Sequence, residues 1–113
     1  MQRRFRLTRS TDFKRVRSYG KSFAHPLVVL IMLVSEEAGL RVGVAASRSL
    51  GGAVQRNRAK RLLREAIRPE VAALVPGHDL ILIARAPLLQ SDFADLKKAI
   101  RSLLRRASLY QSE

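Results

Sequence analysis

Residues 26–34 (PLVVLIMLV) constrain the fold more than any other stretch of the chain. Side chains alternate between the two faces of a strand, and this run is apolar at both parities. A strand of that kind is buried on both sides and belongs at the centre of a sheet. At nine residues it is too short to cross a bilayer as a helix, which takes roughly 20. Residues 40–46 (LRVGVAA) and 79–85 (DLILIAR) read as further strands, and residues 21–24 as a short strand before the central one. If the turn at residues 36–39 (EEAG) closes a hairpin, the strand after it runs antiparallel to the strand before it.

Elsewhere the period is helical. Ala59, Leu62, Leu63, Ala66 and Ile67 fall on one arc at about 100° per residue, and Pro69 ends or kinks that helix. Ser10 or Thr11 can cap a first helix carrying Phe13 and Val16 on one face, with Gly20 as its stop. Ser91 can cap a last helix, with Asp92 and Asp95 in its first turn. Its buried stripe is Phe93, Leu96, Ile100, Leu103, Leu104 and Ala107; Lys97, Lys98, Arg101, Arg105 and Arg106 occupy its other faces. Residues 1–9 read as a mobile basic arm, with Phe5 and Leu7 as candidate anchors. The order is helix, two or three strands, helix, strand, helix. That is an α+β sandwich, and 113 residues suit one domain with one core.

Charge narrows the function. Twenty-two Lys and Arg face nine Asp and Glu, a net +13. A folded domain this basic repels itself unless a polyanion neutralises it, and nucleic acid is the commonest such partner. An anionic membrane surface is a further option. The absence of cysteine excludes disulfides, thiolate metal sites and a Cys nucleophile. Arg3, Arg4 and Arg6 are followed by a polar stretch where a signal peptide needs an apolar one. A soluble cytoplasmic protein is therefore expected.

The charge concentrates in one helix. Arg56, Asn57, Lys60, Arg61, Arg64 and Arg68 occupy one arc of about 140° beside the apolar arc, and Arg58 stands at its edge. Five cations surround a single amide. Arginine forks match phosphate oxygens in pairs. Ser47, Ser49 and the Gly51 and Gly52 amides lie at the start of this helix, where backbone N–H groups favour anions. The plainer reading is a solvated helix with an Arg61–Glu65 pair. The excess of five cations over one acid weighs against it.

The same segment resembles the signature of the bacterial ribonuclease P protein family, approximately A-V-x-R-N-x-x-K-R-x-x-R-E. Here it reads Ala53-Val54, Arg56-Asn57, Lys60-Arg61 and Arg64-Glu65. Arg6-Leu7 with Asp12-Phe13, the strand from Leu40 to Val44, Ile83 to Arg85, and Ser108 to Tyr110 resemble other parts of the family in order, so that the likeness covers about residues 3–110. The resemblance implies an α-β-β-β-α-β-α fold with the signature helix in a left-handed β-α-β crossover, where the general rule expects a right-handed one. It implies a protein subunit that binds a catalytic RNA and the 5′ leader of precursor tRNA. The RNA, with its Mg²⁺ ions, would carry out the cleavage. Carried over residue by residue, Arg56, Asn57, Arg58, Lys60, Arg61 and Arg64 would contact the RNA subunit, and the basic arc adds Arg68. Phe13, Lys14, Arg15 and Arg17 would meet the leader in a cleft between the first helix and the sheet. Phe13 reads equally as a core residue. Arg17 stands where the family often has a second aromatic; an Arg plane can stack on a base, and Tyr19 or Phe23 are candidate substitutes.

Other readings are a ribosomal or structural RNA-binding protein, a small autonomous nuclease, or a DNA-binding helix. The signature with its embedded Asn separates the first. The nuclease lacks a recognisable acid, base or metal set, since the acids are scattered and His25 and His78 read as loop or surface residues. The last lacks a preceding helix for a helix-turn-helix. No membrane and no small-molecule substrate are expected.

Overall fold

A strand that is apolar at both parities needs cover on both faces, and the computed structural model, which describes residues 6–111, provides it. The elements are α1 (Ser10–Tyr19), β1 (Lys21–Ala24), β2 (Val28–Val34), β3 (Leu40–Ala46), α2 (Ala53–Ile67), β4 (His78–Ala84) and α3 (Phe93–Arg106). This is the expected α-β-β-β-α-β-α order. The strands form one sheet in the order β1-β2-β4-β3, so the doubly apolar β2 is internal. β4 is buried along most of its length and takes the other internal position.

The hairpin expectation fails here. β3 does not pair with β2; β4 lies between them, antiparallel to β2 and parallel to β3. The reason is competition for the centre. β2, and β4 from Leu80 onward, are apolar at both parities, whereas β3 carries Arg41 and Gly43 within one face and is better placed at an edge. The turns at that end are tied together instead. Ser35 N–H donates to the Gly77 carbonyl at 2.8 Å, and Gly77 N–H donates to the Gly39 carbonyl at 2.9 Å.

One sheet face presents Val28, Leu30, Val42, Val44, Leu80 and Leu82 to α2 and α3. α2 contributes Ala59, Leu63, Ala66 and Ile67, and α3 contributes Leu96, Ala99, Ile100, Leu103 and Leu104. Each fully buried Leu or Ile contributes about 1.5–3 kcal/mol. The opposite face is smaller: Ile31 and Ile81 pack with Leu7 and with Val16 of α1, and Phe13, Val29, Leu33 and Ile83 are half-buried around them.

Several end-of-helix expectations are corrected. Arg9, not Ser10 or Thr11, is the N-cap of α1, and no side chain caps it. Asp92 precedes α3 in the cap position, while the Ser91 hydroxyl donates to the Leu88 carbonyl at 2.7 Å, finishing a 3-10 turn at Ala86–Gln90. Phe93, the first residue of α3, is 40% exposed at the rim of the layer, and Ala99 belongs to the buried stripe. Leu7 is anchored: its N–H donates to the Val42 carbonyl at 2.9 Å and its side chain is buried. Arg6 forms a bridge to the same residue. Leu7 is thus the anchor that the sequence suggests, and Arg6 is held beside it. Phe5 and the residues before it lie outside the described residues.

α3 ends in a Schellman arrangement: Ser108 N–H donates to the Arg105 carbonyl and Leu109 N–H to the Leu104 carbonyl, both at 3.0 Å. Ser108 adopts φ 57, a conformation usually left to glycine. The chain then runs back beside the segment after α2, where Val75 N–H donates to the Leu109 carbonyl at 2.7 Å. The Tyr110 hydroxyl donates to Glu70 at 2.7 Å, and burial together with that carboxylate pushes its pKa up to about 12.

α1 is held down by charge as well as by Val16. Asp79 of β4 is fully buried on the α1 face. Arg41 of β3 grips it with two hydrogen bonds, Nε to Oδ1 and Nη2 to Oδ2, each 3.0 Å. Arg15 of α1 donates to Oδ2 as well, and Asp12 accepts from Arg15 at 3.4 Å and from Arg41 at 3.5 Å. Burial pushes the Asp79 carboxyl up, but the bonds from Arg41 and Arg15 outweigh it and hold the group below its usual range. A depressed carboxylate stabilises the fold above its unfolded pKa of about 3.9. That contribution is lost as pH falls through the lower folded value. Asp79→Asn is expected to cost roughly 3 kcal/mol at neutral pH and to flatten the acid limb of a urea-unfolding pH profile. An acid limb identical to wild type would show that another group controls it.

Candidate nucleic-acid interface

α2 separates its faces by burial. Ala59, Leu63, Ala66 and Ile67 are buried against the sheet and α3. Arg56, Lys60 and Arg64, spaced four apart, form a half-buried row along one flank. Asn57, Arg58, Arg61 and Arg68 are exposed. The ion pairs found among the described residues join Arg15 and Arg41 to Asp12, Asp79 and Glu37, and Arg101 to Glu70; none uses a cation of α2 or Arg68. The Arg61–Glu65 pair of the solvated-helix reading is not formed. The sequence places Val54 beside these cations, and it is 78% exposed despite its apolar side chain.

On the flank facing β3, Lys60 and Arg64 line a cavity of about 190 Å³ together with Arg6, Thr8, Phe13 and Gly43. Burial pushes the Arg64 guanidinium down, and Arg6 nearby adds to this by repulsion. Phe13 is half-buried here, because its ring lies on the bare backbone of Gly43: a Cβ built on Gly43 would sit 2.5 Å from Phe13 Cζ. Both readings of Phe13 thus hold in part. It packs against the second core cluster and still lines an open recess.

The remaining residues divide. Lys14 and Arg17 are exposed on α1. Arg15 is committed to Asp79 and Asp12, so its fork is engaged in holding the helix. Tyr19 is 78% exposed at the end of α1. Phe23 pairs in register with Leu30 and packs against the α2–α3 core, which removes it from the α1 face. Ahead of α2, Ser47 and Ser49 hydroxyls bond each other at 2.5 Å and the Gly51 N–H donates to the Arg48 carbonyl at 3.1 Å, so these donors are partly spent within the loop. His25 Nδ1 accepts from Leu27 N–H at 3.1 Å, and His78 Nδ1 lies 3.1 Å from the Pro76 carbonyl. Among the described residues no cluster of three or more His, Asp or Glu could hold a metal ion, and no helix is long and apolar enough to cross a membrane.

Sequence reasoning missed two features. Arg6 was grouped with a loose arm, although Leu7 beside it carried the signal for anchoring. The Arg41–Asp79 pair was the other; its one local signal was Arg41, a charge inside an otherwise apolar strand, which burial makes costly unless it finds a partner.

A family model described as Ribonuclease P matches residues 1–108. The chain is 41% identical over 110 residues to the ribonuclease P protein component of Chloroflexus aurantiacus, covering 96% of this chain and 82% of that one. It is 41% identical over 112 residues to the ribonuclease P protein component of Bacillus velezensis, covering 98% and 96%. The solved structure of the Staphylococcus aureus RNase P protein superposes with a TM-score of 0.84 at 28% identity, covering 95% of this chain and 98% of that one.

The seat of Phe13 is directly testable. Gly43→Ala puts a methyl group where the ring lies and 3.2 Å from the Leu7 carbonyl oxygen. A loss of about 1–3 kcal/mol in urea unfolding is expected, with the Phe13 ring resonances shifted. A variant of wild-type stability and unshifted ring would place Phe13 elsewhere.

Proposed function

The chain belongs to the ribonuclease P protein family, and on that premise we propose that it is the protein subunit of ribonuclease P, the endoribonuclease that removes the 5′ leader from precursor tRNA. The observation that carries this reading is the α2 surface. It holds the family's signature as a row of cations without carboxylate partners among the described residues. Such a surface is poised for phosphates, because the charge is neutralised only when a polyanion arrives.

In this reading Arg56, Asn57, Arg58, Lys60, Arg61, Arg64 and Arg68 bind the RNA subunit. Phe13, Lys14 and Arg17 border the face that receives the leader. Arg15 serves that face from beneath, by fixing α1 to Asp79. The half-buried Val29 and Ile83 give the same face an apolar floor beside α1. The protein supplies binding and positioning, and the RNA subunit carries the chemistry. In the same reading, Mg²⁺ is bound mainly by the RNA subunit.

The decisive assay is precursor-tRNA cleavage at low Mg²⁺ by a bacterial ribonuclease P RNA, with and without this protein. The protein alone is expected to be inert, and its addition to restore cutting at the mature 5′ end. Unchanged cleavage with retained RNA binding would make it a structural RNA-binding protein instead. In the same system, Arg61→Ala is expected to weaken binding to the RNA subunit. It should also lower the salt slope by roughly 0.7–0.9 for the lost phosphate contact, with the far-UV spectrum intact. Equal affinity and slope in variant and wild type would remove Arg61 from the contact.

A further inference from the structure

The basic surface of α2 does not stop at the end of the helix. Arg68, its C-cap, is exposed, and the 3-10 turns of Arg68–Ala73 that follow are fastened to α3. Glu70 accepts there from Arg101 Nε at 3.3 Å and from the Tyr110 hydroxyl. α2 and α3 cover the same face of the sheet. Each follows the end of one of the parallel strands β3 and β4, whose last residues, Ala46 and Ala84, pair. The two helices therefore run side by side in the same sense, and axes of helices packed in this way lie about 8–10 Å apart.

Lys98, Arg101 and Arg105 stand at i, i+3 and i+7, on the side of α3 away from its buried stripe. Lys98 and Arg105 are exposed, and neither has a carboxylate partner among the described residues. Arg101 keeps 41% of its side-chain surface in water beyond its bond to Glu70. Burial and Glu70 raise the Tyr110 pKa while Arg105 and Arg101 oppose them, so both cations stand near that hydroxyl. The acids of α3, Asp92 and Asp95, lie at its other end. Glu65, one turn before Arg68, is the exposed acid left to offset these cations.

The character of the surface selects its partner. No ring is free on it: Phe93 lies at the far end of α3 with Lys97 over it, and Tyr110 is half-buried. Single-stranded RNA is held by stacking on open rings, and a double helix by phosphate and 2′-OH contacts. A membrane needs an apolar side that can enter it, and that of α3 is already in the core. A protein partner needs an apolar centre of contact. The large apolar side chains exposed among the described residues belong to α1, β2 and the first turns of α2 and α3.

We propose that Arg68, Lys98 and Arg105 form a second contact for the RNA subunit and grip the backbone of one of its double-helical arms. The two helices then offer a row of cations each to the wide, shallow groove of an A-form helix. Arg68 makes the contact continuous with the α2 face, which points to the RNA subunit and not the substrate as its source. This rests on the RNA-binding reading of α2 and can fail separately from it.

The test is the full chain carrying Lys98→Ala and Arg105→Ala, titrated with a bacterial ribonuclease P RNA over a series of salt concentrations. The salt slope is expected to fall by roughly 1.8, about 0.9 for each lost phosphate contact on a double helix, with the loss in affinity largest at low salt. Lys98→Arg with Arg105→Lys should keep the wild-type slope, and matching amide spectra report that both variants fold. In hydroxyl-radical footprints the alanine variant should lose protection over a double-helical segment of the RNA. Wild-type affinity and slope in that variant would overturn the proposal, and so would protection lost only in single-stranded RNA. A variant unchanged toward the RNA subunit but weakened toward mature tRNA or phosphatidylglycerol vesicles would give the face another occupant and overturn it equally. The α2 reading survives any of these results if Arg61→Ala still weakens binding to the RNA subunit.

Discussion

A buried carboxylate, Asp79, ties α1 to the sheet, and the shape of the surface around α1 follows from it. Its partners come from β3 and α1, so a single charge on an internal strand fixes an edge strand and a helix on the same face. Removing a charge from water is unfavourable, and only the near-complete pairing of its oxygens makes the position tenable. The apolar contacts of α1 are few, with Val16 its one buried residue. The ion network therefore supplies direction as much as adhesion. It sets the helix where Phe13 meets Gly43, and thereby shapes the recess between α1, the edge strand and α2.

The molecule treats its cations in two ways. Arg15, Arg41 and Arg101 are matched with acids and belong to the architecture. The cations of α2 have no such match among the described residues and are laid along a helix whose other side is fully apolar. A helix can sustain this division because the buried stripe holds it in place without help from its charged side. The charged side can then vary at little expense to the fold.

Much of this was legible in the chain. The central strand, the two helices over the sheet and the cation arc each follow from a local period, and local periods are what a sequence displays. The order of the strands was not legible, because β2 and β4 satisfy the same pattern and only their competition for the interior displaces β3. Asp79 could not be placed, since its arginines lie 38 and 64 residues away along the chain. The caps were misread at Ser10 and Ser91 for a related reason. A hydroxyl near a helix start has several acceptors within reach, and for Ser91 the preceding turn supplied one. The seat of Phe13 needed Gly43 opposite it, a fact about two elements and not about either alone.

The insertion of β4 between β2 and β3 carries a consequence for how the chain is made. On the ribosome, residues 28–34, residues 40–46 and the basic helix that follows all emerge before β4. None of them can close the sheet until residues 78–84 have cleared the exit tunnel. For that interval β2 has only the short β1 beside it, β3 has no partner strand, and the amphipathic helix has nothing to cover. Its folding is thus deferred until the last strand of the sheet has been made. The high positive charge, so useful later, keeps such chains apart while they wait.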